Sequence, residues 1–409
     1  MRIAILNNYF APVGGAEKIA YDTYKILRSN NHDVYYIATD QKPYFEDNNP
    51  NIKYLIPNKY NLKGYLLHPI RYYYDKNAEK QLTLFLEGSN PDIVHLHNIL
   101  AFSPSILKCL KDIPTVLTVH QADIVCPAST MMLNNKVYCK QQYCKKYNVL
   151  PCLFHNCSKN NIEASFRRSL LIYLYRKNLE YIDKFITPSN ALKSLILNSD
   201  LNINSHQIIT INNFLSSTEL NLIPKYTNEG YFLYIGRLSK EKRVITLLEA
   251  MKDLPREIKL KIAGTGTEEN NLKLYAKENN LENVEFLGFT NREEVTELYQ
   301  NCIATILPCN WFEIFGMTNI ESFINGKPVI ASNIGGIPEI VEHDITGQLF
   351  EPGNVEQLKE CILKYWNNPD LVVEHGKNGY QKAITQYTEE IYYKELMKVY
   401  EEAINESKK

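Results

Sequence analysis

The sequence predicts an α/β protein that contains two doubly wound parallel sheets, one after the other along the chain. Three observations support this fold class. Short apolar segments alternate with helical patterns through most of the 409 residues, as in parallel sheets that helices cover on both faces. The pattern stops in the polar stretch 214–229, which we interpret as a linker, and then restarts. The chain is also long enough for two or three domains.

The first domain is predicted to span residues 1–214. Its first strand, "RIAILNN", precedes a glycine turn and the helical pattern "AEKIAYDTYKILRSN". The same succession of apolar strand and helix follows several times, which indicates a Rossmann-like sheet. The predicted strands of this domain are 2–8, 33–40, 92–98, 114–120, 184–190 and 208–213.

The second domain is predicted to span residues 215–386, and a long amphipathic helix is predicted at 387–409. That helix either closes the second domain or crosses back to the first. Ligands of doubly wound sheets bind at the carboxyl ends of the strands, so we expect the two domains to face a central cleft. The predicted strands of the second domain are 231–237, 259–266, 284–289, 302–308 and 328–333.

Glycines and histidines follow several of these strands. A glycine allows the backbone to approach a phosphate or a sugar closely. None of the glycine turns forms the G-x-G-x-x-G fingerprint of dinucleotide sites, so a dehydrogenase is a weak alternative. A lone histidine is usually structural, but two at the ends of strands that face one cleft favour a functional role. The candidate positions are Gly14, Gly15, His97, His120, Gly236, Gly264 and Gly266.

Two acids, Glu313 and Glu321, stand eight residues apart around a Phe315–Gly316 step. We expect Gly316 to precede a helix and Glu321 to lie in its first turn, where backbone N–H groups form an anion site. One carboxylate could then accept two ribose hydroxyls while the N–H groups receive phosphate. Alternatively, Glu321 only complements the helix dipole and Glu313 is solvated.

The segment "GRLSKEKR" follows a predicted strand of the second domain. Arg237 and Lys242 could converge on a pair of phosphates, with arginine acting as a fork and lysine as a point charge. Alternatively, this segment is a solvated basic turn.

The pattern "EIFGMTNIE" resembles the signature of retaining glycosyltransferase family 4, which has the GT-B fold. The resemblance covers essentially the whole chain and implies two Rossmann-like domains, with a nucleotide sugar bound mainly to the second. Further segments that match the family in the same order are "GGAE", "PDIVHLHN", "TVLTVH", "GRLSKEK", "IAGTG", "VEFLGF" and "GGIPEIVEHDITGQLFEPGN".

The resemblance also implies roles for individual residues. Glu321 would hold the ribose and Glu313 the donor sugar, while Arg237 and Lys242 would hold the diphosphate. His120 would approach the sugar from the first domain. Other implied positions on the donor side are Gly15, Gly236, Gly264, Gly266, Phe315, Gly316, Met317 and Thr318, and those on the acceptor side are Gly14 and His97.

Three positions depart from the family pattern. Arg243 stands where a glycine often follows the motif lysine, and Phe214 stands where a glycine often follows the asparagine near the linker. Gln121 stands where an aspartate often follows the histidine of the cleft, which leaves the chemistry on the acceptor side open.

Five of the nine cysteines fall within residues 126–160, which we interpret as an insertion in the first domain. Their C-x4-C spacings differ from the tight C-x2-C of many zinc sites. A structural zinc site, reduced thiols and a cysteine-stapled loop all stay open. The zinc ligands would be Cys139, Cys144, Cys152 and Cys157, with His155 nearby.

Charge is distributed unevenly along the chain. Residues 1–215 carry a formal charge of +8 and the remainder carry −9, so we expect the first half to meet an anionic partner. The stretch 165–182 mixes arginine with leucine, isoleucine and tyrosine, which suits a helix on anionic lipid or one packed on its own domain. We expect no signal peptide, no transmembrane helix and no nucleic-acid partner, and therefore a cytoplasmic protein at the inner face of the membrane.

These observations together predict a retaining transferase that moves a sugar from a UDP- or GDP-linked donor to a hydroxyl acceptor. By analogy with the family, the acceptor would be a lipid-linked saccharide in the synthesis of capsule, O-antigen or exopolysaccharide. No Asp-x-Asp motif is visible in the cleft segments, so we expect neither a catalytic metal nor another cofactor. The alternatives are a nucleotide-sugar-modifying enzyme such as an epimerase, and a non-catalytic subunit that binds nucleotide sugars.

Overall fold

A computed structural model describes residues 1–10, 14–39, 52–56, 73–133, 137–140, 142, 144, 148, 150–155, 157 and 162–407. The chain forms two compact units. Parts of the predicted insertion at 126–160 lie outside the described residues. Unit 1 contains Met1–Ser129, Lys140–Asn213 and Glu389–Lys409, and unit 2 contains Thr130–Cys139 and Phe214–Thr388.

The described residues form strands and helices in regular alternation. The strands are β1 (Arg2–Leu6), β2 (Asp33–Thr39), β3 (Ile52–Ile56), β4 (Ile93–Leu96), β5 (Thr115–Thr118), β6 (Met132–Leu133), β7 (Val137–Tyr138), β8 (Lys184–Thr187), β9 (Ile208–Thr210), β10 (Tyr231–Ile235), β11 (Lys259–Ala263), β12 (Val284–Gly288), β13 (Thr305–Leu307), β14 (Val329–Ser332) and β15 (Gly347–Phe350). The α-helices are α1 (Gly15–Ser29), α2 (Lys76–Ser89), α3 (Pro151–Phe154), α4 (Ile162–Lys177), α5 (Asn190–Leu197), α6 (Ser217–Leu220), α7 (Val244–Lys252), α8 (Glu269–Glu278), α9 (Arg292–Asn301), α10 (Met317–Ile324), α11 (Ile337–Ile340), α12 (Val355–Asn367), α13 (Pro369–Gln386) and α14 (Glu389–Ser407).

Unit 1 is built on a seven-stranded parallel sheet with the order β3-β2-β1-β4-β5-β8-β9. Strand β1 lies inside the sheet, and its residues from Ile3 to Leu6 are fully buried, which explains their unbroken apolar run. The strand order reverses beside β1, because β2 pairs with one edge of β1 and β4 with the other. The carboxyl end of β1 is therefore the place where a doubly wound sheet binds ligands.

The C-terminal helix α14 belongs to unit 1. The Tyr392 hydroxyl lies 2.9 Å from Oγ1 of Thr23, and the Tyr400 hydroxyl lies 2.7 Å from Nδ1 of His95. Both tyrosines are buried. The helix therefore packs on the unit that contains the N-terminal strands.

Unit 2 is built on a six-stranded parallel sheet with the order β12-β11-β10-β13-β14-β15. Its strand order reverses beside β10. A core of buried apolar residues, including Phe232, Leu247 and Ile262, covers the sheet on one face. On the other face, Phe323 of α10 packs with Ile320 and Phe315. Helix α10 is thereby fixed just after β13.

A hairpin of β6 and β7 belongs to unit 2, although it interrupts the sequence of unit 1. The Tyr138 ring stacks on the Phe312 ring, with centroids 6.1 Å apart and an angle of 19° between the planes. The sequence analysis placed the whole insertion at 126–160 in the first domain. The structure corrects this for Thr130–Cys139, because Tyr138 packs against the apolar core of unit 2.

The predicted fold class of two doubly wound parallel sheets is confirmed. Sequence analysis missed β3 and β15, each at one edge of its sheet, although it found β9 and β12 at the opposite edges. None of the helices in the described ranges is long and apolar enough to cross a membrane.

Candidate active site

Two glycine loops lie against each other at the carboxyl ends of β10 and β11. The Gly236 amide donates to the Ala263 carbonyl at 3.0 Å, and the Leu238 amide donates to the Thr265 carbonyl at 2.9 Å. A Cβ at Gly264, where φ is +133°, would lie 2.0 Å from the carbonyl oxygen of Gly236. The structure thus brings the predicted Gly236 and Gly264 together and explains why a side chain is excluded at this crossing.

The loop that carries Glu313 is held by the glycine turn after β14. The Gly336 amide donates to the Glu313 carbonyl at 2.7 Å. A Cβ at Gly335 would lie 2.1 Å from that carbonyl oxygen, so the backbones are in direct contact. Sequence analysis noted this Gly-Gly turn but not its partner. The turn fixes the backbone from which the Glu313 side chain projects.

The Glu313 carboxylate is buried and paired rather than solvated. Its Oε2 accepts from Nζ of Lys242 at 2.6 Å and from Nε1 of Trp311 at 2.9 Å. The Lys242 ammonium also lies over the Trp311 ring, 5.0 Å from its centroid. Burial lowers the pKa of Lys242, but the Glu313 carboxylate raises it by more, so the net pKa is above the ordinary value. Lys242 therefore stays charged, and one Glu313 oxygen is aimed by two donors.

Trp311 was missed by sequence analysis. Its indole both orients Glu313 and stacks under the Lys242 ammonium. The available signal was its place two residues before the motif acid, because the chain has only two tryptophans and a buried indole N–H needs an acceptor nearby.

Arg237 lies at the surface of the same unit. Its side chain is 68% exposed, and Nη2 lies 3.8 Å from Oε1 of Glu241. An exposed guanidinium beside a weak, solvent-screened ion pair can reorient toward an anionic ligand at little energetic cost. The predicted pair of cations thus divides into a half-buried Lys242 and an exposed Arg237.

The position of Glu321 corrects one expectation. Helix α10 begins at Met317, directly after Gly316 in the left-handed region at φ +92°. Glu321 is therefore the fifth helical residue and lies in the second turn, not the first. Its Oε2 accepts from the Tyr299 hydroxyl at 3.0 Å. Burial raises the pKa of Tyr299 well above the ordinary value, and the Glu321 charge raises it further, so this hydroxyl remains a donor.

The start of α10 offers backbone rather than side-chain contacts. The Phe315 ring is 3% exposed and packs edge-on against Tyr387 at 5.8 Å, so it belongs to the core. Only the backbone near Phe315 and Gly316 can serve a ligand. The first amides of α10, at Met317 and Thr318, lack acceptors within the helix, as in every α-helix, and form a partial positive charge there.

In unit 1, His97 and His120 meet at the ends of β4 and β5. Nδ1 of His97 lies 2.8 Å from Nε2 of His120, and the rings stack at 5.1 Å. Burial lowers the pKa of His120 to about 4 and lowers the pKa of His97 well below its ordinary value. Both imidazoles are therefore neutral near pH 7.

Gly14 and Gly15 begin helix α1 of unit 1. A Cβ at Gly14 would lie 3.0 Å from Oε2 of Glu17, and Nδ2 of Asn98 donates to Oε1 of Glu17 at 3.4 Å. Glu17, a buried acid, was not singled out by sequence analysis. Asn98, the residue that follows His97, thus connects the "GGAE" segment to the end of β4.

A cavity of ≈ 40 Å³, partly open to solvent, lies beside the two histidines in unit 1. His97, His120 and Asp123 line it together with apolar side chains such as Leu117 and Ile172. Burial raises the pKa of Asp123 to about 6. Sequence analysis missed Asp123, although an acid three residues after His120 and before the apolar "IVC" segment is an available signal.

The cysteines of the insertion form a different group from the predicted one. The Cys152 thiol hydrogen-bonds with the thiols of Cys144 and Cys157, and Cys126 is close by. Cys139 instead belongs to unit 2. Among the residues with described positions, no three His, Cys, Asp or Glu side chains are grouped to hold a metal ion, and no disulfide joins the nine cysteines. The zinc set of Cys139, Cys144, Cys152 and Cys157 stays a prediction, because parts of the insertion lie outside the described residues.

Two family models match this chain, one in each half. The model for glycosyltransferase family 4 matches residues 13–218, and the model for glycosyl transferases group 1 matches residues 218–382. An uncharacterised glycosyltransferase of Methanocaldococcus jannaschii is 27% identical over 330 residues, which are 80% of each chain. N-acetyl-alpha-D-glucosaminyl L-malate synthase of Bacillus anthracis is 22% identical and covers 100% of this chain and 99% of its own. Lipopolysaccharide 1,6-galactosyltransferase of Escherichia coli is 26% identical over 57% of this chain and 66% of its own.

Solved structures share the fold over nearly the whole chain. Sucrose-phosphate synthase of Thermosynechococcus elongatus has a TM-score of 0.73 at 18% identity and covers 98% of both chains. Anabaena Alr3699/HepE in complex with UDP has a TM-score of 0.70 at 17% identity and covers 98% of this chain and 100% of that one.

Proposed function

The chain belongs to glycosyltransferase family 4, and on that premise we propose that it transfers a sugar from a UDP- or GDP-linked donor to a hydroxyl acceptor with retention of configuration. The single observation that carries the proposal is the arrangement around the start of α10. There Glu313 is oriented by Lys242 and Trp311, and Glu321 by Tyr299. The relative from Anabaena binds UDP, which supports a nucleotide donor.

Each part of the donor has a chemically suitable partner in unit 2. Glu321 offers a carboxylate to the ribose hydroxyls, and Glu313 offers one to the donor sugar. Between them, Lys242, the exposed head of Arg237 and the first amides of α10 would meet the diphosphate. The glycine crossing of Gly236 and Gly264 permits a phosphate to approach the backbone.

The proposed reaction breaks the bond between the anomeric carbon and the phosphate oxygen, and forms a bond from that carbon to the acceptor oxygen. The departing phosphate takes the proton of the acceptor hydroxyl on the same face of the sugar, which retains the configuration. Negative charge grows on the phosphate as the bond breaks, and Lys242, Arg237 and the start of α10 would stabilise it. These groups supply the positive charge, so we propose that no metal is required.

A lipid-linked saccharide of surface polysaccharide synthesis is the proposed acceptor. The galactosyltransferase of Escherichia coli acts on lipopolysaccharide, and this chain has features suited to a lipid surface. Phe154 and Phe166 are 83% and 55% exposed in unit 1, and residues 136–177 contain nine basic residues and one acid. Exposed aromatic rings among basic residues favour a bilayer interface, so we propose peripheral binding at the inner face of the membrane.

An assay of donor turnover tests the proposal. UDP- and GDP-sugars are incubated with membrane extract as acceptor, with and without EDTA, and the released nucleotide and new glycolipid are quantified. We expect nucleotide release that requires both acceptor and donor and that EDTA does not reduce. A changed sugar without acceptor would instead show a nucleotide-sugar-modifying enzyme, and tight nucleotide binding without any turnover would show a binding subunit.

A further inference from the structure

Three imidazoles meet at the ends of β4 and β5 in unit 1. His95 lies 4.1 Å from His97 by ring centroids, and His97 in turn contacts His120. Nδ1 of His95 is 2.7 Å from the Tyr400 hydroxyl, and Nε2 is 2.7 Å from Oγ1 of Thr118. Both partners of His95 are hydroxyls, which can donate or accept, so the surroundings do not fix the tautomer of His95.

The contact between His97 and His120 is more restrictive. Nδ1 of His97 and Nε2 of His120 are 2.8 Å apart, and each can be only a donor or only an acceptor. Because both imidazoles are neutral, a single proton lies between these two nitrogens. The two rings therefore have two joint arrangements, and each fixes which atom His120 presents on its other side.

Nε2 of His97 distinguishes the two arrangements. His97 is 2% exposed, and no residue in the described ranges hydrogen-bonds with its Nε2. If His120 donated to His97, the remaining proton of His97 would be on Nε2. That N–H group would be buried without an acceptor, which is rare in proteins. If His97 donates from Nδ1, its Nε2 is an acceptor without a donor, which is less unusual in protein interiors. The proton therefore belongs on Nδ1 of His97.

We propose that His97 is a positioning residue, which donates from Nδ1 to Nε2 of His120 and so holds His120 in the tautomer with its proton on Nδ1. His120 then presents an N–H group and acts as a neutral hydrogen-bond donor, not as a general base. This inference rests on the proposed function and on the role that the family resemblance implies for His120, which is to approach the donor sugar. A donor of fixed direction costs no reorganisation when the sugar–phosphate bond breaks.

Nitrogen NMR of the whole protein labelled with ¹⁵N-histidine reads the tautomer directly, with His120→Gln used to assign the signal. In the wild type near pH 7 we expect the His120 proton on Nδ1 and the His97 proton on Nδ1. A proton on Nε2 of His120 would overturn the proposal, whether or not the protein transfers sugar. The spectrum needs no substrate, so its result is separate from that of the proposed function.

Three variants extend the test to turnover. His97→Phe keeps a ring but removes the donor, whereas His97→Asn retains an N–H group close to the place of Nδ1. His95→Gln is the matched control, because it changes a buried histidine of the same cluster whose ring nitrogens hydrogen-bond with Tyr400 and Thr118 rather than with His120. Thermal unfolding of each variant shows whether it is folded.

We expect His97→Phe to shift the His120 proton toward Nε2 and to lower kcat by about tenfold or more, with the donor KM changed less than about twofold. His97→Asn should restore the His120 tautomer and most of kcat, and His95→Gln should lower the melting temperature without changing either. A folded His97→Phe with the wild-type tautomer, or with the shifted tautomer and wild-type kcat, would overturn the proposal.

Discussion

At the scale of single residues, Glu321 is the acid whose role can be isolated most cleanly. Its carboxylate accepts a hydrogen bond from the Tyr299 hydroxyl. Glu321→Ala should weaken binding of nucleoside diphosphate by about 1–3 kcal/mol, because two ribose hydroxyls lose a charged acceptor. Tyr299→Phe should weaken it by only about 0.5–1.5 kcal/mol, because only the orientation of Glu321 is lost. Isothermal calorimetry measures both, and unchanged affinity in Glu321→Ala would exclude the ribose role.

Arg237 is the better probe of charge stabilisation, because it is exposed and its loss should not disturb the fold. Lys242 is less suitable, since its removal would leave the buried Glu313 without a counter-charge. Arg237→Ala should lower kcat roughly 10²–10³-fold and change the donor KM much less.

Lys240→Ala is the matched control for Arg237→Ala. Lys240 is an exposed cation in the same loop, so its removal changes the charge equally, and we expect near wild-type kinetics. Equal losses of kcat in the two variants would mean that only the overall positive charge of the loop matters, not the position of Arg237.

Site residues could be predicted from the sequence where they belong to a local motif. Their side-chain partners could not be predicted where the two residues are far apart in the sequence. The spacing of Glu313 and Glu321 and the glycines of two loops were available from the sequence. The pairing of Glu313 with Lys242 was not, because the two residues are 71 positions apart and only the adjacent loops of one sheet bring them together. The turn of α10 that holds Glu321 was misjudged, because the start of a helix is uncertain by one or two residues.

At the scale of elements, the C-terminal helix and the first sheet are joined at His95, a fully buried histidine. Burial, with a smaller contribution from repulsion by His120, lowers the pKa of His95 to about 3. In the unfolded chain its pKa is about 6.5. Below that value the unfolded state binds a proton that the folded state excludes, so stability is lost as pH falls.

Urea unfolding at about pH 7, 6 and 5 tests this element. We expect the free energy of unfolding of unit 1 to be constant above about pH 7 and to fall below it. Each excluded proton contributes about 1.4 kcal/mol per pH unit, so His95→Gln should make the fall less steep by about that amount. Parallel pH curves for wild type and variant would show that His95 is not the group responsible.

The inner strands of both sheets were predicted more completely than the edge strands. The inner strands β1 and β10 carry continuous apolar runs and were found, whereas the edge strands β3 and β15 were missed. The hairpin of β6 and β7 was placed in the wrong domain, because the aromatic contact of Tyr138 with Phe312 spans 174 positions and leaves no local signal.

At the scale of the whole molecule, the basic first half and the exposed Phe154 and Phe166 predict binding to anionic vesicles. The double change Phe154→Ser with Phe166→Ser should reduce vesicle sedimentation severalfold, because two rings no longer enter the interface. Phe289→Ser is the matched control, because Phe289 is 82% exposed in unit 2. Arg168 is a poorer probe of membrane binding, since it donates to Ser129 Oγ at 2.7 Å within unit 1.

Salt provides the second arm of the vesicle experiment. Binding that depends on basic residues should weaken as ionic strength rises, because the Debye length shortens to about 8 Å at physiological salt. Equal sedimentation with neutral and anionic vesicles at low salt would contradict the predicted membrane surface.

The central claim is that sugar is transferred from a nucleoside diphosphate to an acceptor hydroxyl on one face of the ring. The most direct measurement is proton NMR of the glycoside formed from an α-linked nucleotide sugar, which reports the configuration of the new anomeric centre. The account predicts an α-linkage, because the leaving phosphate receives the acceptor proton on the face that the acceptor enters. A β-linkage would contradict the mechanism, since the acceptor would then have attacked from the opposite face.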